Sequence, residues 1–246
     1  MIEQTATVAE LGTILGIWAH PDDEAYLSGG LMALARDQGS RVVCVTATRG
    51  ELGTDDPDTW PPARLARTRT EELAASLEIL GVAEHVWLDH ADGECATADH
   101  AATIGRLSEI IDDVRPDTVI TFGPDGVTGH PDHRMVSAWA TTAFDRAAPA
   151  GARILQPTSA LRRVAAWREL NDSLGIYPPG LPVTTPPERL ALDLVLDPPT
   201  AARKVRALAA QESQTAPLIA AMGVATYTAW VADESFVGRR RRITAA

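Results

Sequence analysis

The chain has 246 residues, of which 45% are hydrophobic and 22% are charged, and its formal net charge at pH 7 is -11. This composition is typical of a globular protein with an ample core, and one domain spanning residues 1–246 is the simplest prediction. The negative charge disfavours nucleic acid and anionic membrane surfaces as partners. The run from Arg239 to Arg242 is basic although the net charge of the chain is negative, and we interpret it as a solvated tail after the last element.

Cysteine usage and the amino terminus favour a cytoplasmic protein. Cys44 and Cys95 are the only cysteines, too few for a disulfide framework or a thiolate metal site. Residues 1–4 (Met-Ile-Glu-Gln) lack the basic charge that opens a secretory signal, and no run of about 18 apolar residues occurs. We therefore expect a reduced, cytoplasmic setting. The oligomeric state, including a homo-oligomer, stays open.

The first half of the chain alternates between two hydrophobic patterns. Helical spacing of leucine and isoleucine occurs in segments that end near Gly39, at Gly81 and before Pro116. Four short apolar runs predict strands buried on both faces: 13–19 (TILGIWA), 41–47 (RVVCVTA), 85–89 (HVWLD) and 118–123 (TVITFG). The alternation predicts an α/β fold, with a mostly parallel sheet and helices on both faces.

The second half is less regular. Prolines are frequent between residues 149 and 187, which predicts long loops around short strands such as Val164 to Trp167. The alternating run from Arg189 to Leu196 predicts a further strand. An alanine-rich helix is predicted from about Ala201 to Ala221.

The tripeptide His-Pro-Asp occurs twice, each time just beyond a predicted strand. Residues 19–24 read Ala-His-Pro-Asp-Asp-Glu, and residues 129–133 read Gly-His-Pro-Asp-His. Proline favours the first position of a helix, so each turn predicts a helix start with carboxylates in its first turn. Ligand sites of open parallel sheets form beyond the carboxyl ends of strands whose connections run in opposite directions. If these two strands are neighbours, His20, Asp23 and His133 can converge.

Two imidazoles and one carboxylate are a ligand set for a catalytic zinc ion, which leaves a position for a water whose pKa falls to about 7. Asp22, adjacent to a ligand, is then a candidate general base. His130 is a candidate for stabilising the oxyanion of a tetrahedral intermediate. Asp132 is a candidate for orienting a ligand imidazole.

A simpler interpretation applies to each turn taken alone. Aspartates after a proline are common at helix starts, because carboxylates cap free N–H groups there. The two motifs together, at two strand ends and with complementary ligand types, favour the metal site. By contrast, we expect His85, His90 and His100 to be surface or strand-edge residues.

These motifs resemble the PIG-L/LmbE-like zinc-dependent N-acetylglucosaminyl deacetylases. Further agreement lies in residues 48–53 (Thr-Arg-Gly-Glu-Leu-Gly), 69–72, 92–93 and 204–214. The resemblance implies a Rossmann-like fold, and the proline-rich segment from residue 149 to 187 predicts that its carboxyl-terminal part is loop-rich. It also implies a Zn²⁺ cofactor, with Fe²⁺ as the alternative. The implied substrate is a small acetylated aminosugar or glycoconjugate from which an acetyl or related acyl group is removed.

The resemblance also carries roles for individual residues. By position, the family's zinc ligands match His20, Asp23 and His133, its general base matches Asp22, and the residue that stabilises its tetrahedral intermediate matches His130. Glu51, Arg69 and Asp92 fall where such proteins line the sugar pocket. For Arg69, a helix-surface ion pair with Glu72 is an equally simple interpretation. The family often has a histidine before its Ser-Gln pair, whereas residues 210–214 read Ala-Gln-Glu-Ser-Gln, which weakens inference about substrate contacts there.

Other functions stay open at this point. Within the family, a mycothiol-conjugate-type amidase is the alternative to an N-acetylglucosamine deacetylase. Non-haem iron oxygenases share the ligand set of two histidines and one carboxylate, although an alternation of strands and helices does not match their usual β-barrels. A non-catalytic metal- or sugar-binding protein is a further alternative. A nucleotide-binding module is disfavoured, because the turn after the first strand is not a glycine-rich phosphate loop.

Overall fold

The computed structural model describes residues 7–241. Its strands are β1 (Ile14–Trp18), β2 (Val42–Thr48), β3 (Glu84–His90), β4 (Thr118–Thr121), β5 (Arg153–Ala160), β6 (Thr184–Thr185), β7 (Leu192–Val195) and β8 (Asp233–Arg240). Its α-helices are α1 (Asp23–Asp37), α2 (Pro62–Leu80), α3 (His100–Val114), α4 (Pro131–Ala147), α5 (Leu161–Leu174), α6 (Pro198–Ala209), α7 (Glu212–Met222) and α8 (Val224–Val231).

The strands form one sheet in the order β3-β2-β1-β4-β5-β8-β7, with β6 paired to β5. Strand β1 lies near the middle, where Ile14 pairs in parallel register with Val42 on one side and Thr118 on the other. Every residue of β1 is buried, because helices cover both faces of the sheet. The predicted α/β fold with a mostly parallel sheet is confirmed. Among the described strands, β8 is the exception, because it runs antiparallel to both of its neighbours, β5 and β7.

The direction of the strand connections reverses between β1 and β4. From β1 the chain proceeds through β2 to the edge strand β3, and helix α3 then returns it to the other side of β1. The two His-Pro-Asp turns follow β1 and β4, which are hydrogen-bonded neighbours. The expected convergence at a switch point of the sheet is therefore present.

Three expectations for the second half were wrong. The segment Val164 to Trp167 lies inside helix α5, not in a strand. The single helix predicted from about Ala201 to Ala221 is divided into α6 and α7 at Ala210 and Gln211. The loop-rich interpretation of residues 149–187 missed strand β5 and helix α5. The strand predicted from Arg189 to Leu196 is present as the shorter β7.

The basic run at the carboxyl terminus is not a solvated tail. Arg239 forms an ion pair with Asp145 at 2.6 Å. Arg241 donates hydrogen bonds to backbone carbonyls at the end of α4, including that of Ala148. Cations at this end of a helix interact favourably with its dipole. Arg242 and residues 1–4 lie outside the described residues. Within residues 7–241, no helix has both the length and the apolar character needed to span a membrane.

Candidate active site

The turn between β1 and α1 has an unusual backbone conformation. Asp22, the residue before the helix, has φ 99° and ψ -30°, a region that favours glycine. Its N–H donates to Glu24 Oε2 at 3.0 Å. Its C=O accepts from the N–H groups of Ala25 and Tyr26, which starts the helix. The turn thereby places the side chains of His20, Asp22 and Asp23 beside one cavity.

Three donor groups from the two turns converge on one point. His20 Nδ1 lies 3.2 Å from His133 Nε2. Of the two Asp23 carboxylate oxygens, Oδ1 lies 3.4 Å from His133 Nε2 and Oδ2 lies 3.6 Å from His20 Nδ1. Ligands of a tetrahedral zinc ion, with bonds of about 2.0–2.1 Å, are separated by about 3.3 Å. The three groups are therefore close enough together to share one divalent cation, and three protein ligands would leave one position of a tetrahedral ion for another ligand.

Both histidines have their second ring nitrogen occupied. His133 Nδ1 lies 2.9 Å from the carbonyl oxygen of Gly126, which can only accept, so Nδ1 carries the hydrogen. His20 Nε2 lies 3.1 Å from Asp92 Oδ1 and 3.3 Å from Asp132 Oδ2. These contacts leave His20 Nδ1 and His133 Nε2 as the nitrogens for a metal. Metal-binding histidines commonly donate their other N–H to a carboxylate or carbonyl in this way.

Asp132 lies behind His20, with its Oδ2 3.3 Å from His20 Nε2. Its carboxylate is fully buried and accepts from the N–H groups of Gly93 at 2.8 Å and Cys95 at 3.2 Å. Burial opposes its charge, but the hydrogen bonds from His20 and these amides outweigh it and lower the pKa of Asp132 to about 2. Burial likewise opposes protonation of His20, but Asp132 and Asp92 raise its pKa to about 10. Binding of a metal at Nδ1 would therefore release a proton.

Asp22 and Arg69 are neighbours at the wall of the cavity. Burial raises the pKa of Asp22 to about 7, with the Arg69 guanidinium opposing the rise and Asp23 adding to it. Arg69 is buried and donates to the carbonyl oxygens of Pro21 and Gly50. The alternative of a helix-surface ion pair between Arg69 and Glu72 is wrong, because Glu72 accepts from the N–H and hydroxyl of Ser213 instead.

His130 stands at the start of α4. Its Nδ1 accepts from the backbone N–H of Asp132 at 3.2 Å, so the neutral ring carries its hydrogen on Nε2. The ring centroid lies 4.9 Å from that of His20 and 5.1 Å from that of His133. Burial and the charges of these two histidines lower the pKa of His130. A neutral donor can therefore face the cavity beside the three converging groups.

The three residues expected to line the sugar pocket have different surroundings. Glu51 Oε1 accepts from the N–H of Asp92 at 2.9 Å, and Asp92 Oδ2 accepts from the N–H of Leu52 at 2.9 Å. Asp92 and Arg69 line the cavity, but Glu51 is not among its lining residues. The contact of Asp92 with His20 was not predicted. The only signal for it was an aspartate beyond the end of β3.

The cavity has a volume of about 630 Å³ and joins the two halves of the chain. Its inner end is formed by the converging groups, Asp22, His130 and Arg69. Its outer wall comes from residues after 150, with apolar side chains such as Ile176, Leu218 and Trp230. No sequence pattern pointed to these outer residues. His85, His90 and His100 lie elsewhere, on edge strand β3 and at the exposed start of α3, as expected.

Two further sets of three donor groups each lie within 4.8 Å of one another: His20, His130 and His133, and His20, Asp92 and Asp132. The second set offers the Nε2 side of His20, where Asp132 already accepts hydrogen bonds from the N–H groups of Gly93 and Cys95. We therefore favour the Nδ1 side, where Asp23 completes the set of ligand groups.

Comparison with known proteins identifies the family. A family model described as GlcNAc-PI de-N-acetylase (PIG-L) matches residues 15–144, which include both His-Pro-Asp turns. The chain belongs to the PIG-L family. A curated PIG-L relative, the 1D-myo-inositol 2-acetamido-2-deoxy-alpha-D-glucopyranoside deacetylase of Kineococcus radiotolerans, is 37% identical over 168 residues. The match covers 57% of this chain and 46% of the relative, so the chain spans about half the length of the curated relatives it matches.

Solved structures share the fold of this PIG-L protein. The N,N'-diacetylchitobiose deacetylase from Pyrococcus horikoshii superimposes with a TM-score of 0.63 at 21% identity, covering 94% of this chain and 84% of that one. The 4-carboxy-2-hydroxymuconate hydratase from Pseudomonas putida KT2440 has a TM-score of 0.60 at 18% identity, covering 96% and 99%. These likenesses establish the fold. Since they include a hydratase, the reaction must be argued from the site.

Proposed function

We propose that this PIG-L protein is a metal-dependent hydrolase that removes an acetyl or related acyl group from an N-acetylglucosamine-type amine. The observation that carries the proposal is the convergence of His20 Nδ1, Asp23 and His133 Nε2 at separations of 3.2 to 3.6 Å, with Asp22 and His130 beside them. The curated relatives of this chain are deacetylases of such amides, which supports the same substrate class.

The three converging groups would hold the metal, which we propose to be Zn²⁺ with Fe²⁺ as the alternative. When bound, the metal supplies Lewis acidity and lowers the pKa of water. The chain's own groups carry the proton transfers. Asp22 accepts a proton from the water that attacks the acyl carbonyl, and His130 stabilises the developing oxyanion by a hydrogen bond from its Nε2–H, which stays on the ring. The C–N bond then breaks, the amine takes the proton from Asp22, and acetate is released.

The remaining site residues have supporting roles in this proposal. Asp132 holds His20 in the orientation that its Nδ1 contacts require. Asp92 shares that role and also faces the cavity, together with Arg69, where the aminosugar would bind. Glu51 acts through Asp92, because it accepts a hydrogen bond from the Asp92 backbone N–H. It does not reach the sugar itself.

A screen of N-acylated aminosugars and their conjugates tests the proposal, with free amine as the readout. Metal-loaded protein is expected to release amine and acetate in equal amounts, in the absence of oxygen. Chelator-treated protein is the control and should release neither. If no N-acyl aminosugar or conjugate, including mycothiol-type conjugates, were cleaved by metal-loaded protein, the proposed reaction would be wrong.

A further inference from the structure

The peptide group between Pro21 and Asp22 is held from both sides by the buried polar side chains of Glu24 and Arg69. Its N–H, on Asp22, donates to Glu24 Oε2 at 3.0 Å. Its C=O, on Pro21, accepts from Arg69 Nη2. Glu24 is fully buried and Arg69 nearly so. An acceptor oxygen therefore faces the N–H end of this peptide and the guanidinium faces its C=O end.

The peptide needs such support because of its conformation. Asp22 has φ 99°, which is unfavourable for a residue with a side chain. A backbone of this kind persists only where its surroundings hold it in place. The carboxylate of Asp22 faces the cavity only while the turn keeps this conformation. A loss of either contact would let the turn relax and would redirect that carboxylate.

Glu24 is itself held by a residue from the far end of the chain. Its Oε1 accepts from Gln211 Nε2 at 2.7 Å, and the same amide nitrogen lies 3.1 Å from Ser76 Oγ. Gln211 is buried at the break between α6 and α7, outside the segment matched by the family model. The break between these helices thus places an amide donor directly against Glu24.

We propose that Glu24, held by Gln211, is a positioning residue for Asp22. Glu24 touches neither the cavity nor the metal ligands' donor atoms, and it acts by fixing the direction of the Asp22 carboxylate. This inference rests on the proposed role of Asp22 as the base. It predicts that the donor and acceptor of the Glu24–Gln211 pair can be exchanged without loss of function, because either arrangement leaves an oxygen for the Asp22 N–H.

A reciprocal exchange tests the proposal. In E24Q the new amide nitrogen faces that of Gln211, and in Q211E two carboxylates meet. Each single variant is expected to lose at least about 10-fold in kcat for amine release, with little change in KM or in bound metal. The double variant E24Q/Q211E restores one carboxylate and one amide. It is expected to recover to within about 3-fold of the wild-type kcat.

Matched controls apply the same chemical changes at exposed sites. Q38E at the end of α1 and E78Q on α2 should leave kcat unchanged. Wild-type kcat in E24Q, or no recovery in a double variant that folds and binds metal as the wild type does, would overturn the proposal. If the single variants do not fold, recovery of both folding and kcat in the double variant is required. If D22N is fully active, the proposed base is wrong, which is a separate outcome from normal activity in E24Q.

A different observation concerns the outer half of the cavity. Its wall has an apolar part, formed by Ile176, Leu218 and Trp230, beside polar residues such as Arg163 and Asp233. The indole of Trp230 is fixed, because its Nε1 donates to Asn171 Oδ1 at 2.9 Å and the Arg163 guanidinium lies 5.4 Å from its ring centroid. With its only polar atom satisfied behind the wall, the ring can offer a ligand only its apolar surface.

We infer that this outer half binds an apolar alkyl or aryl group attached to the aminosugar. The inner end, with its charged groups, takes the acetamide and the sugar, and the cavity of about 630 Å³ continues beyond them along the apolar wall. This inference rests on the proposed function for the orientation of the ligand. The substrate class would then be an amphipathic aminosugar conjugate, not a free monosaccharide.

Binding can be measured separately from turnover. Calorimetry on metal-loaded D22N should give at least about 10-fold tighter binding of octyl than of methyl N-acetyl-β-glucosaminide, below the micellar concentration. L218S should lower this ratio, whereas L161S, the same change at an exposed position of α5, should keep it. Equal affinities, no binding of either glycoside, or an unchanged ratio in L218S would overturn the inference. Amine release by the wild type decides the proposed function independently.

Discussion

His20 Nδ1 lies 3.2 Å from His133 Nε2, although 113 positions separate the two residues in the chain. The parallel pairing of β1 with β4 brings these rings together, since each follows the carboxyl end of one of the two strands. Hydrogen bonds on the opposite ring nitrogens fix both orientations. The topology of the sheet thus brings the two rings together, and the hydrogen bonds around them fix their orientations.

Loss of a proposed ligand should abolish metal binding. We expect H133A to bind Zn²⁺ at least about 100-fold more weakly than the wild type, because ligand loss should exceed the effect of losing an outer contact. H130A is the matched control, since its ring is nearby but is not one of the three converging groups. Competition with a chromogenic chelator measures both. Equal weakening in the two variants would contradict the ligand assignment.

The carboxylate behind His20 should tune the metal site without forming it. We expect D132N to lower metal affinity by about 10–100-fold, because the amide weakens the hydrogen bond that orients His20. The measurement is the same competition titration, accompanied by a thermal unfolding curve to exclude general loss of structure. An unchanged affinity in folded D132N would count against the role of this contact.

The converging site could be predicted from sequence because its signals are local. Each His-Pro-Asp turn combines a helix start with ligand-type side chains, and buried runs on either side identify central parallel strands. The position of the two turns in the fold then follows from the topology of alternating strands and helices.

The second half could not be predicted in the same way. Pro157 made β5 resemble a loop, yet it belongs to the strand, where it pairs with Phe236 of β8 beyond the end of the ladder to β4 at Leu155. The break at Gln211 has no local signal, since it depends on the contact of that side chain with Glu24, far away in sequence. Tertiary contacts of this kind override helix propensity.

His85 should make stability depend on pH. Burial lowers its pKa to about 4, with the Arg49 charge adding to the effect. The unfolded chain takes up a proton here below about pH 6.5, whereas the folded protein does so only near pH 4, so stability is lost as the pH falls through this window. Between pH 7 and 4.5, the wild type should lose about 1–2 kcal/mol more than H85Q in urea unfolding. Equal losses would contradict the prediction.

The buried ion pair between Lys204 and Glu234 should contribute to stability through its partners in α1. Lys204 Nζ lies 2.7 Å from Glu234 Oε1 and donates to the carbonyl oxygen of Tyr26, while the Glu234 carboxylate accepts from the N–H groups of Gly30 and Leu31. The pair is thus inserted among the backbone groups of one helical turn. Removing only one partner leaves a buried charge without its counter-ion.

We expect K204M to reduce the free energy of unfolding by about 3–5 kcal/mol. The double variant K204M/E234Q should be at least about 1 kcal/mol more stable than K204M, because it leaves no unpaired charge. The exposed pair of Arg41 and Glu84 provides the control, and R41M should cost less than about 1 kcal/mol. A K204M loss no larger than that of R41M in urea titrations would contradict the interpretation.

The most direct test of the proposed reaction is acetate release by D22N. The substitution keeps the size of the side chain and all three metal-binding groups, but it removes the carboxylate that would accept the proton from water. We expect D22N to retain one equivalent of metal and to release acetate from an N-acetylglucosamine conjugate at least about 1,000-fold more slowly than the wild type, given the about 10²–10⁴-fold contribution typical of general acid–base groups. Wild-type acetate release by metal-loaded D22N would contradict the assignment of Asp22 as the base.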